Sequence, residues 1–315
     1  MIAATRRVLL ASAAWSLPGD AVRQVLVAAA GGRGAVEAWP LWCAWHPDPL
    51  AALGALRLRT LLPLLDRSLR QHGIALAPAV RDGLRAATVA ERSRSERYDA
   101  ILASLAPLLA PHRVLLLKGA ALAHLVYPQR WLRHCHDIDL VTTPEARSAV
   151  AHALSVSGFT AAHGALVHPS GLPVRIHTAV FAARRYRMAF DDAWQAGRAL
   201  PIGDVTFRTL CEADALVHVC GHAATWHGPE SGRWWPDAAF LIRSSRMDWS
   251  RVARVADASG AAVPVLQRLA ALSHHEPVPH DTLARLTTIV GRASVCTLAM
   301  EAVGSWHLGF GRLVL

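Results

Sequence analysis

The stretch "HRVLLLKGAALAHLVYPQRWLRHCHDIDLV", His112 to Val141, decides how the chain is read. Its apolar run Val114 to Leu117 has the length of a short buried strand and stops at Lys118-Gly119. Small residues continue as a helix to about Val126, and "HDIDLVTT" then alternates as a second strand. Alternation places Asp137 and Asp139 on one face of that strand, with Ile138 and Leu140 on the other. Two carboxylates side by side repel each other, and burying either one unpaired is costly. Something positive must sit between them, either a metal ion or a basic side chain.

Working outward, "PEARSAVAHALSVSGF" reads as a helix with Pro144 in its first turn and Gly158 at its exit. "GLPVRIHTAVF" alternates as a third strand. Before the centre, Asp20 to about Pro111 is helical in pattern, and a helix beginning near Pro78 carries a charged run, Arg92 to Arg97, that reads as a solvated face. Beyond about Phe190 the text reads as helical again, through "CEADALVHVCGHAATWH" and "RWWPDAAFLIRSS". The pattern predicts an α+β fold, with a small mixed sheet flanked by N- and C-terminal helical segments. Its expected divisions are a helical segment 1–111, a catalytic core 112–190 and a helical segment 191–315.

Composition narrows the class of protein. With 53% apolar and 18% charged residues over 315 positions, a sizeable core is expected. No window reaches the roughly 18–20 apolar residues of a membrane span. The opening "MIAATRRVLLASAAWSLPGDA" is broken at Trp15-Ser16 and reads as a first amphipathic helix rather than a leader. Five scattered cysteines without CxxC spacing fit reduced thiols and a cytoplasmic location. The net charge of +10 suits phosphates or other anions, but no RNP-like, helix-turn-helix or zinc-finger pattern favours nucleic acid. Lys118 is the one lysine among 33 basic residues.

His218 and His222 share a helical face, with Cys220 on the other side and His227 nearby; packing histidines are the reading, not a zinc site. Trp226, Trp234, Trp235 and Trp249 read as core between helices.

Taken together, "LLLKGAALAHLVYP" and "RHCHDIDLV" resemble the uncharacterised nucleotidyltransferase family, a branch of the polymerase-β-like nucleotidyltransferase superfamily. The matching residues are Lys118-Gly119, Tyr127-Pro128, Arg133 and Asp137-Ile138-Asp139-Leu140-Val141, with similar text from about Asp20 to Pro279. The resemblance implies transfer of a nucleotidyl or phosphoryl group from an NTP, ATP by default, to a hydroxyl acceptor. It implies Mg²⁺ on Asp137 and Asp139, with nucleotide phosphates held by Lys118, Gly119 and Arg133. Members of this family are met beside lasso-peptide and other natural-product genes, which suggests a ribosomally made peptide as acceptor. One departure stands out: in "VRIHTAV", Arg175 occupies the place of an expected third carboxylate, with His177 retained. Arg175 can grip a substrate phosphate, or it can neutralise the aspartates and leave a degenerate protein that binds nucleotide, peptide or RNA without turnover.

Overall fold

The computed structural model describes residues 2–13, 17–225 and 232–310. Trp15, Ser16, Trp226 and His227 lie outside the described residues. Among the described residues six α-helices come first: α1 (Ile2–Ala13), α2 (Asp20–Ala30), α3 (Ala35–Trp45), α4 (Pro49–Ala55), α5 (Leu62–Gln71) and the long α6 (Pro78–Leu109). The centre runs β1 (Val114–Leu117), α7 (Lys118–Leu125), β2 (Ile138–Thr142), α8 (Arg147–Val156), β3 (Thr160–Ala162), β4 (Ala165–Val167) and β5 (Pro173–His177). A helix α9 (Phe190–Ala196) and a hairpin β6 (Arg198–Ile202) and β7 (Val205–Thr209) follow. The remainder is helical: α10 (Glu212–Ala223), α11 (Trp234–Ile242), α12 (Trp249–Ala258), α13 (Ala262–Leu272), α14 (His280–Arg292) and α15 (Val295–Phe310).

Among the described residues the strands form one mixed sheet in the order β3-β4-β5-β2-β1-β7-β6. β2 runs antiparallel to β1 and parallel to β5, and β1 runs parallel to β7. Strand parity sorts the two faces. Leu116, Ile138, Leu140 and Val174 pack on one side, with Leu102 and Leu105 of α6 and Val150 and Leu154 of α8. Leu115, Leu117 and Val141 pack on the other, in a core shared with α2, α5, α10, α11 and α13. Helices from both ends of the chain therefore cover one face of the sheet, the face on which Asp139 lies.

The structure corrects two expectations. The sheet does not end near residue 190, because β6 and β7 extend it through the pairing of Leu115 with Arg208. The charged stretch of α6 is also not wholly solvated: Arg94 donates to the carbonyl of Cys135 at 2.8 Å, just ahead of the aspartates. Among the described residues, no single helix is long and apolar enough to cross a membrane.

Candidate active site

The strand-to-helix corner after β1 is made by Lys118, whose φ of +54° is left-handed. That conformation is costly for a residue bearing a Cβ. It aims the Lys118 ammonium across to β2, where Nζ donates to Asp139 Oδ1 at 2.7 Å. His177 at the end of β5 donates from Nε2 to the same oxygen at 2.6 Å, so neither contact occupies Oδ2. Asp139 is only 3% exposed. Burial by itself would raise its pKa, but the His177 hydrogen bond and the Lys118 charge outweigh it and hold the carboxyl down at about 2.

Asp137 lies one residue before β2 and is more open to solvent. Arg175 donates to it from Nε, 2.9 Å from Oδ2. In the parallel register Arg175 stands beside Asp139, and His177 stands beside Val141. Arg175 and His177 therefore each reach back diagonally to the carboxylate two positions before their neighbour on β2. Parity puts Asp137, Asp139, Arg175 and His177 on one face, as alternation alone predicts. The two aspartates are kept apart electrically by different partners: Arg175 for one, Lys118 and His177 for the other.

Arg133 is placed otherwise than its expected role on phosphate requires. Its fork is committed to Asp237 on α11, with Nε to Oδ1 at 2.7 Å and Nη2 to Oδ2 at 2.9 Å. The Tyr127 hydroxyl also donates to Asp237, at 2.5 Å. A bidentate pair with side chains only 13% and 5% exposed is a structural clamp. Nη1 of Arg133 donates to the carbonyl of His134 at 2.5 Å, and the Tyr98 hydroxyl donates to that of Cys135 at 2.6 Å. Arg133 thus pins the segment that presents Asp137, instead of facing a ligand.

Gly119, in the first turn of α7, sits against this clamp. A Cβ there would lie 3.1 Å from Cys135 Sγ and 3.5 Å from Arg133 Nη1. Its missing side chain lets α7 approach the 133–135 segment closely, while the positive end of that helix begins at Lys118 beside Asp139.

Two residues to which the sequence reading gave no catalytic place belong to the surroundings of the site. His177 is one, and α10 supplies the other: His222, packed 5.7 Å ring to ring on the buried His218. Burial, with the Lys118 charge next, pushes His222 down to about 4. Burial, with neighbouring His222 and Lys118 next, pushes His218 well below the ordinary histidine value. Both rings are therefore neutral near pH 7. A bidentate pair from Arg251 to Asp214, both contacts at 2.7 Å, fixes α10 to α12. Trp234 and Trp235 are buried in the core, as expected of packing residues.

The donor set can be compared with the needs of a magnesium ion. Among the described residues no group of three or more His, Cys, Asp and Glu side chains could hold a metal. Asp137 and Asp139 offer two carboxylates on one face, each with an oxygen outside its ion pair. That set suits a Mg²⁺ completed by phosphate oxygens and water, not a resident ion caged by protein.

Asp137, just before β2, and the buried Asp139 face Lys118 at the start of α7, an arrangement that suits the nucleotidyltransferase class. The model of a family described as uncharacterised nucleotidyltransferase matches residues 47–277, and the chain belongs to that family. No curated protein matches the chain.

Proposed function

We propose that the protein binds a nucleoside triphosphate as its magnesium complex and transfers a nucleotidyl or phosphoryl group to a hydroxyl acceptor. The observation that carries this reading is the convergence of Lys118, Asp137, Asp139 and Arg175 at the mouth of β1, β2 and β5. Bound there, Mg²⁺ would be held by Asp137 and Asp139 and would neutralise charge on the phosphates.

The chain's own residues supply the rest. Lys118 brings a compact positive charge, and the first-turn N–H groups of α7 lack intrahelical acceptors and favour an anion. His177 holds Asp139 in one orientation, ionised at neutral pH. The Arg133–Asp237 clamp keeps the segment before Asp137 in place. A ribosomally made peptide is the acceptor suggested by the family resemblance, and a cytoplasmic setting fits the scattered free thiols.

The second reading, a nucleotide-binding protein without turnover, is favoured by one observation: both aspartates already have cationic partners. Calorimetric titration separates a nucleotide site from no site. Mg²⁺-dependent ATP binding, lost in Asp137→Asn while the protein stays folded, is expected. Equal affinity in EDTA, or in the variant, would refute the proposal. Mass spectrometry of hydroxyl acceptors incubated with each NTP then distinguishes a transferase from a binding protein.

A further inference from the structure

We infer that Arg175 works in two positions: it holds Asp137 while the site is empty of nucleotide, and it passes to the phosphates when a nucleotide delivers a cation to the aspartates. The inference rests on the proposed nucleotide site. Three observations carry it.

The first is the form of the contact. Arg175 meets Asp137 through Nε alone, so the two outer nitrogens of its fork take no part in that bond. Its side chain is 43% exposed and that of Asp137 is 30% exposed. Such open pairs are weak and easily exchanged. The pair at Asp139 differs, since that carboxylate is 4% exposed and held from two sides.

The second is the poverty of the protein's own donor set. With two carboxylates, His177 spent on Asp139, and, among the described residues, no group of three His, Cys, Asp or Glu side chains placed to hold a metal, a bare cation has little to hold it. A cation approaching Asp137 also meets the Arg175 guanidinium at hydrogen-bonding distance from the same carboxylate. Like charges that close repel strongly. The two cannot share Asp137 unless a further anion joins them, and the phosphates that carry the cation are that anion.

The third is register. Arg175 stands beside Asp139 on the neighbouring parallel strand, facing the same side of the sheet. Rotation of its side chain is enough to redirect the fork, and the strands need not move. Planar, bidentate recognition of phosphate oxygens is what a guanidinium does best. Arg175 therefore excludes a lone cation and admits one that arrives with phosphates.

The test uses Arg175→Gln, which removes the charge and keeps a polar side chain at a half-exposed position. Two affinities are measured on the folded variant: Mn²⁺ alone, by electron paramagnetic resonance, and MgATP, by calorimetry. Arg175→Gln should bind Mn²⁺ about fivefold more tightly and MgATP about fivefold more weakly, opposite signs from one substitution. Arg285→Gln on α14 removes the same charge from an exposed position and should change neither by more than about twofold. If only one affinity moves, if both move the same way, or if Arg285→Gln reproduces the pattern, the two-position role is wrong. Asp137→Asn keeps the two proposals apart. Should it leave Mn²⁺ and ATP binding unchanged, the nucleotide-site reading itself fails. Should it abolish Mn²⁺ binding while Arg175→Gln lacks the opposite signs, only the role of Arg175 fails.

Discussion

Lys118 combines a left-handed backbone with a buried partner, and the two properties can be separated by substitution. Lys118→Ala and Lys118→Gly both remove the ammonium from Asp139, but only glycine adopts φ +54° without strain. Lys118→Gly should therefore be more stable than Lys118→Ala by about 1 kcal/mol, against the usual disadvantage of glycine. Denaturant unfolding of both variants checks the order, and alanine equal to or above glycine would contradict a strained corner. Residue-level chemistry was legible where it depended on strand parity. Alternation alone sets Asp137, Asp139 and Arg175 on one face, because a period of two leaves no freedom. It was not legible for Arg133, whose partner Asp237 is 104 residues away in sequence. No local spacing signals that a guanidinium is already engaged.

At the scale of elements, the Arg133–Asp237 clamp joins α11 to the segment entering β2. Removing one partner leaves the other buried and uncompensated. Asp237→Ala should cost about 3–5 kcal/mol, and Arg133→Met in the same chain should recover part of that loss. Thermal and denaturant unfolding of the single and double variants measure it; a double variant no more stable than Asp237→Ala would show that Arg133 is not stranded by the change. The element most fully missed in the sequence is the β6–β7 hairpin. Its text, "RALPIGDVTFRT", holds a signal that could have found it: Gly203-Asp204 between apolar runs, closing the pair Ile202 and Val205. Pro201 obscures that signal, and the structure resolves the conflict by placing β6 at the edge of the sheet, where a missing N–H is tolerated. The small strands β3 and β4 are hidden for a different reason, being three residues each and too short for periodicity to register.

At the scale of the whole molecule, two histidines held neutral in the interface between α10 and the sheet make stability depend on pH. Burial, with the Lys118 charge next, lowers His222 to about 4 in the folded state, whereas an unfolded histidine titrates near 6.5. A depressed folded value means that the stabilisation is complete above about pH 6.5 and is lost as pH falls toward 4. Between pH 7 and 5 the linkage relation gives a loss of about 2 kcal/mol from His222 alone, with more from His218. His222→Gln should flatten the fall in denaturant midpoint over that range, and an unchanged slope would place the sensitivity elsewhere. The general division of the chain, helices around a small mixed sheet, was legible because long periodic segments dominate it. The interleaving of both ends over one sheet face was not, since α2 and α5 meet α10 and α11 only through long-range packing.

The central claim is that nucleotide phosphates sit against Lys118, and the composition of the chain offers a direct measurement of it. Lys118 is the only lysine, so an acyl-phosphate derivative of ATP, which acylates amines near the phosphates, has one side-chain target. Peptide mapping by mass spectrometry should find the acyl group on Lys118, at a level that excess MgATP suppresses and that falls in Asp137→Asn. Labelling confined to the chain's α-amino group, or labelling of Lys118 that excess MgATP leaves unchanged, would contradict a triphosphate site at this corner of the sheet.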